Sequence, residues 1–357
     1  MNRRLYLDLA ASGLAIPIGT DVVLQEHSDP GNILLDGLKL GQVVEQSARR
    51  YHSPLGIPLM DLQIERSAIL EILNIPGPEV NSFHFTEAPR EEIIQEIDLK
   101  LNKRLSARMQ ATCTGIQYIH NRTKLIPVGM CIGPFSLMTK LMDDPISAVY
   151  LYGLGAEGNS EPLVATLLGT LKLSTVVISR CIRAQIAAGA KLIIMCEPAA
   201  NMVYISPKQI EKGSDVFDRC VIQNISRIKK ILDDNSVDLF LHDCGELTDI
   251  IVEKFSQLNP AILSLGSSRQ LWKDARLVSP NTVLYGNLPS KKFYSDELIS
   301  PAELKTMAED LVNRMREVGH PFILGSECDV LSVPGYHQLI SEKVKIITDV
   351  SKYQVDK

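Results

Sequence analysis

Two stretches decide the reading of this chain: Leu239-Phe-Leu-His242-Asp-Cys244-Gly245 and Phe322-Ile-Leu-Gly-Ser-Glu-Cys328-Asp329. Each opens as an apolar run of the kind that forms a buried strand and ends abruptly in side chains that ligate soft metals. Residues two apart on a strand point the same way, so His242 and Cys244 can reach one point while Asp243 faces elsewhere. Cys328 supplies a second sulfur from a distant strand end. One imidazole and two thiolates, with a fourth position open, is the donor set of catalytic zinc. The bland alternative is a buried thiol and a hydrogen-bonded core histidine. The placement of both runs at the C-terminal ends of strands, where α/β enzymes gather their chemistry, favours the metal.

Outward from these stretches, short apolar runs alternate with amphipathic ones. Strands are expected at 15–24, 56–62, 125–132, 191–196, 237–241, 261–265, 283–286 and 322–324, and helices at 33–51, 90–118, 163–188, 206–233, 247–257 and 301–318. Such alternation implies parallel βαβ units, either a doubly wound sheet or a closed barrel, and eight strands favour a (β/α)8 TIM barrel. No composition shift marks a linker, so residues 1–357 are expected to form a single domain. The glycine-rich segment 143–162 is expected to be a loop and a candidate lid. Within it, Gly153-x-Gly155-x-x-Gly158 fits the dinucleotide pattern. A Rossmann turn wants an acidic residue about 20 positions further on, and the next one after Glu161 is Glu197, so cofactor binding there is set aside.

The chain has 357 residues, 45% of them hydrophobic, and a formal net charge of -5 with the two signs interspersed. This is enough for a large core and offers no electrostatic footprint for nucleic acid or an anionic membrane. Seven cysteines, without a Cys-x-x-Cys pair, fit a reducing compartment. Asp8 interrupts the apolar stretch after Arg3 and Arg4, which argues against a signal peptide, and every long apolar window carries charges. A cytoplasmic location is expected.

Several motifs, in order, resemble the uroporphyrinogen decarboxylase superfamily, and within it the zinc-dependent methylcobamide:coenzyme M methyltransferase branch. Ile132-Gly-Pro-Phe-Ser-Leu137 is similar to the family's Gly-Pro-Phe-Thr-Leu turn, and Ala184-Gln-Ile-Ala-Ala-Gly-Ala190 to its Ala-Gln-x-x-Ala-Gly-Ala segment. Glu197-Pro-Ala-Ala200 and Ile205-Ser-Pro207 stand where it has Asp-Pro-x-Ala-Ser and Ile-Ser-Pro. His242-x-Cys244-Gly245, Tyr285-Gly-Asn287 and Cys328-Asp329 follow in the places of its His-x-Cys-Gly, Gly-Asn and Gly-Cys-Asp elements.

The resemblance implies a (β/α)8 barrel with an N-terminal extension, zinc on His242, Cys244 and Cys328, and methyl transfer between a separate corrinoid protein and a thiol or other small molecule. The chain itself lacks the Asp-x-His-x-x-Gly cobalamin signature. Three departures matter. The Met-Arg-Gln-Ala-Gly-Arg segment of the decarboxylases is absent, Glu197 replaces their catalytic Asp, and Ser326-Glu327 stand before Cys328 where a Gly is usual.

Glu197 ends an apolar strand, where a carboxylate is costly unless paired or used, so it is a candidate catalytic residue or half of an ordinary salt bridge. Glu327 is a candidate fourth ligand, an acid/base or a solvent-facing group. Asp61 resembles an acidic pocket residue of the family's second strand, with helix capping as the alternative. Asn201 and Tyr204, just past Glu197, are candidate substrate contacts, although turn chemistry explains an Asn equally well. A decarboxylase-like lyase and a non-catalytic barrel acting as a binding module are the competing readings.

Overall fold

The computed structural model describes residues 3–352. Eight strands form one all-parallel sheet: β1 (Ala15–Ile16), β2 (Leu55–Gly56), β3 (Ile126–Ile132), β4 (Leu192–Cys196), β5 (Asp238–Asp243), β6 (Ile262–Leu265), β7 (Val283–Leu288) and β8 (Phe322–Ser326). Their order is β1-β8-β7-β6-β5-β4-β3-β2, so every strand lies beside its sequence neighbour except at the β1/β2 seam. There the chain crosses with side chains: Thr20 Oγ1 donates to the Ile57 carbonyl at 2.7 Å. β1 and β2 are shorter than their apolar runs because Pro17 and Pro58 have no N–H to continue a ladder.

Two apolar layers result. One lies between the sheet and the surrounding helices. The other fills the inside of the curled sheet and is built from residues such as Ile16, Met130, Cys196, Phe240 and Tyr285. Phe240 and Tyr285 meet edge to face at 5.2 Å, and the Tyr285 hydroxyl donates to the Ile16 carbonyl at 2.6 Å. Gly325 admits that ring, since a Cβ there would lie 2.3 Å from it. At the opposite end from the site, helix Arg3–Ala11 packs under the strands. Tyr6 joins the inner cluster, and Arg3 donates to the carbonyl of Asn259 at 2.8 Å.

Several expectations are corrected. Segment 143–162 is not a continuous loop: Asp144 accepts from Ser147 N at 2.9 Å and starts helix Pro145–Gly153 with Pro at its first position. Gly153-x-Gly155-x-x-Gly158 therefore lies at a helix C-terminus and not in a strand-to-helix turn. The stretch 90–118 divides at Ser106, which caps a second helix, Ala107–Arg122. Helix Pro162–Ala187 is long and apolar enough to cross a membrane by length and composition, despite its charges; more than half of that window is buried against the rest of the molecule. All seven cysteines are free.

Candidate metal centre

β5 carries Asp238, Phe240 and His242 on its inner face. Phe240 belongs to the inner cluster, and His242 is the next residue up, 1% exposed. Across the ladder His242 pairs in register with Ser264 of β6. The Ser264 hydroxyl lies 2.9 Å from His242 Nδ1, which fixes the ring and leaves Nε2 as the free ligand atom. That Nε2 is buried with no hydrogen-bond partner among the described residues.

Cys244 follows one residue beyond β5, and Cys328 two beyond β8. The three candidate donor atoms of His242, Cys244 and Cys328 lie within 4.8 Å of one another, the only such group among the described residues. A buried imidazole nitrogen without a partner, facing two half-buried sulfurs, fits a soft divalent cation, and carboxylates are missing from the group. The hydrogen bond from the Cys328 thiol pushes the Cys244 thiol well below its ordinary value, helped by His242, and the same contact pushes Cys328 up. The pair thus favours the thiolate on Cys244 over Cys328, and the thiolate is the form in which sulfur ligates a metal. Cys196, below them in the barrel, is held as a thiol by complete burial.

The other sequence candidates fall in different places. Glu197 is fully buried, and its carboxylate oxygens accept from Phe135 N at 3.0 Å and Ser136 N at 2.8 Å. It therefore caps helix Pro134–Thr139 and forms no salt bridge among the described residues. Burial pushes it up to about 7 against those hydrogen bonds. Gly133 exists to make room: a Cβ there would sit 2.0 Å from the Glu197 carboxyl carbon. Asn201 spends both polar atoms on its own turn, accepting from Val203 N at 2.8 Å and donating to the Pro198 carbonyl at 2.6 Å. It also packs under Gly245, next to Cys244. Tyr204 is half-buried, edge-on to Phe135 at 6.4 Å.

Asp61 is not the N-cap of helix Ile64–Ile72, a position held by Gln63: its Oδ1 accepts from Gln63 N at 3.0 Å in the turn before that helix, and its Oδ2 pairs with Arg108 at 2.8 Å. The two line a narrow crevice of about 30 Å³ with Pro58 and Met130. Met60 joins that segment to the sulfurs, because its Sδ lies 3.6 Å from Cys328 Sγ and its N donates to Asp329 Oδ2 at 3.2 Å. Glu327 is neither solvent-facing nor in the ligand group: it is 5% exposed and accepts from Ser267 N at 3.0 Å. Sequence reading passed over Ser264 and Met60. A lone serine in the apolar run Ile262-Leu-Ser-Leu265 was the available signal for the first; nothing local signals the second.

No curated protein sequence matches the chain. Among solved structures, the fold is similar to a methyltransferase from Methanosarcina mazei, with a TM-score of 0.66 at 14% identity over 98% of each chain. The family model described as Uroporphyrinogen decarboxylase (URO-D) matches residues 69–334, a span that includes Glu197, His242, Cys244 and Cys328 and leaves out Asp61. With that match over most of its length, on a sheet of eight parallel strands in sequential order, the chain belongs to the uroporphyrinogen decarboxylase family.

Proposed function

We propose that this chain is a zinc-dependent methyltransferase of the corrinoid-linked branch of its family, moving a methyl group between a corrinoid protein and a thiol or other small molecule. The observation that carries the reading is the convergence of His242, Cys244 and Cys328 with an unpartnered Nε2. These three residues would hold the zinc, with Ser264 orienting the imidazole. When bound, zinc supplies a Lewis acid that keeps a coordinated thiol deprotonated at neutral pH. Residues 1–357 act as one barrel domain with helix Arg3–Ala11 as its N-terminal extension, in the reducing cytoplasm that seven free thiols suit.

Glu197 is read as a positioning residue: it fixes the turn at 133–136, against which Tyr204 leans, and does not meet substrate. Asp61, beside Met60, and Asn201, under Gly245, are near the sulfurs in the chain, and with Tyr204 they are the proposed substrate contacts. The lyase reading is less well supported, because a polyanionic tetrapyrrole wants free arginines. Arg108 is paired with Asp61, and Arg269 with Asp249 and Asp274. The test is metal analysis of purified protein. One equivalent of zinc is expected in the wild type and loss of it in Cys328→Ala and Cys244→Ala. Zinc retained unchanged by both variants would remove the sulfurs from the site and end the proposal. Methyl transfer itself is read from the loss of methylcobalamin absorption in the presence of small thiols.

A further inference from the structure

Three ligands leave one position of a tetrahedral centre unfilled, and a neutral sulfur stands against one of the three. Met60 follows the exit of β2, is half-buried, and packs its side chain on the inner cluster. Its Sδ lies 3.6 Å from Cys328 Sγ. Two sulfurs held by one tetrahedral zinc, each at about 2.3 Å, stand about 3.8 Å apart. The separation already present therefore suits a shared cation with little movement of either side chain. The backbone of Met60 is also pinned. Its N–H donates to Asp329 Oδ2 at 3.2 Å, on the residue that follows Cys328. One residue further on, Asp61 accepts from Gln63 N at 3.0 Å and pairs with Arg108 at 2.8 Å. The exits of β2 and β8 are thus tied together although β1 stands between those strands, and the tie carries the thioether and the Cys328 sulfur as one unit.

The ionisable side chains near Cys328 are turned to other partners or lie outside the donor group. Glu327 is 5% exposed and accepts from Ser267 N at 3.0 Å. Asp329 directs Oδ2 at Met60 N. Neither of them, nor the buried Cys196, belongs to the group of donor atoms within 4.8 Å of one another. A carboxylate in the fourth position would also add negative charge to a set in which two thiolates already balance a divalent cation, whereas a thioether adds none. Methionine sulfur is, beside thiolate, a donor that soft metal sites use.

We propose that Met60 is the fourth donor of the metal centre in its resting state: its thioether closes the position left by His242, Cys244 and Cys328 and keeps solvent out of it. As the one sulfur of the set without a charge it is held less strongly than the thiolates, so it is the sulfur that yields when a substrate thiol releases its proton to solvent and takes the position. This rests on the zinc-thiolate reading above and deepens it.

The test uses full-length protein loaded with zinc, with metal content measured on the same samples. Zinc-edge X-ray absorption should count three sulfur neighbours in the wild type and two in Met60→Leu, a substitution that keeps the apolar volume. Met130→Leu, in the inner cluster, should keep all three. In protein labelled with carbon-13 at its methionine methyl groups, the resonance missing from Met60→Leu should move when zinc is added. It should move back when 2-mercaptoethanol is supplied in excess.

Two sulfurs in the zinc-loaded wild type, or three retained in Met60→Leu, would reduce Met60 to ordinary packing beside Cys328 and overturn the assignment while leaving the metal site standing. A folded Met60→Leu that holds no zinc would make Met60 a support of the ligand loop and overturn it as well. A methyl resonance that keeps its zinc-bound position under excess thiol would make Met60 a permanent ligand and overturn the resting-state role. Failure of the wild type to hold zinc would overturn the zinc reading, and this one with it.

Discussion

Removing the Ser264 hydroxyl is the sharpest available test of the metal centre, because Ser264 touches the candidate ligand without being one. In Ser264→Ala, His242 Nδ1 loses a 2.9 Å partner inside a site where the ring is 1% exposed and water does not replace it. Outer-shell substitutions of this kind weaken metal binding by about 10- to 100-fold, which corresponds to about 1.4 to 2.7 kcal/mol. A buried polar atom left unsatisfied costs about 1 to 3 kcal/mol, in the same range. Competition between the protein and a chromophoric zinc chelator reads the affinity directly. Ser264→Ala should fall within that window, His242→Ala well beyond it, and Ser174→Ala, a buried serine on helix Pro162–Ala187, should match the wild type. Zinc affinity unchanged in Ser264→Ala, with the protein folded, would mean that the imidazole does not need the orientation seen here. The assignment of Nε2 as a ligand would then be refuted.

Further expectations follow from the same geometry. Glu65 is fully buried and burial pushes it up to about 7, so its contribution to stability is complete below about pH 4.5 and is lost as pH rises to about 7. Glu65→Gln should accordingly flatten the decline in denaturant-measured stability between pH 5 and pH 8 by about 3 kcal/mol, and an unchanged pH profile would refute the burial argument. Gly133→Ala drives a Cβ into the Glu197 carboxyl and should lower Tm sharply. The double variant Gly133→Ala/Glu197→Ala should be less destabilised than the sum of the two singles. Tyr285→Phe should cost about 1 to 2 kcal/mol in urea unfolding through loss of the bond to Ile16. Asp61→Asn breaks a partly exposed pair with Arg108 and should change stability by less than about 1 kcal/mol; a shift in thiol affinity at unchanged stability would mark Asp61 as a substrate contact.

What the sequence made legible follows from how each feature is built. Parallel strands buried on both faces read as continuous apolar runs, so all eight were visible, whereas the ends of β1 and β2 depended on Pro17 and Pro58 and were overextended. The segment 143–162 was misread by counting glycines when Asp144-Pro145 was a better local signal of a helix start. Glu197 was correctly seen as costly to bury, but its solution, two backbone amides at a helix start, lies in β3's loop and is invisible from its own neighbours. The convergence of His242, Cys244 and Cys328 as a candidate ligand group was legible because imidazole and thiolate are chemically rare choices at a strand end and because strand parity fixes which side chains share a face. Ser264 and Met60 are ordinary residues that acquire a role only through register and loop path: Ser264 through the β5/β6 ladder, Met60 through the β2 exit. A ligand set can therefore be read from residue identity and spacing, while the shell that tunes it must be read from coordinates, and it is in that shell that family members with the same three ligands can differ in the substrates they accept.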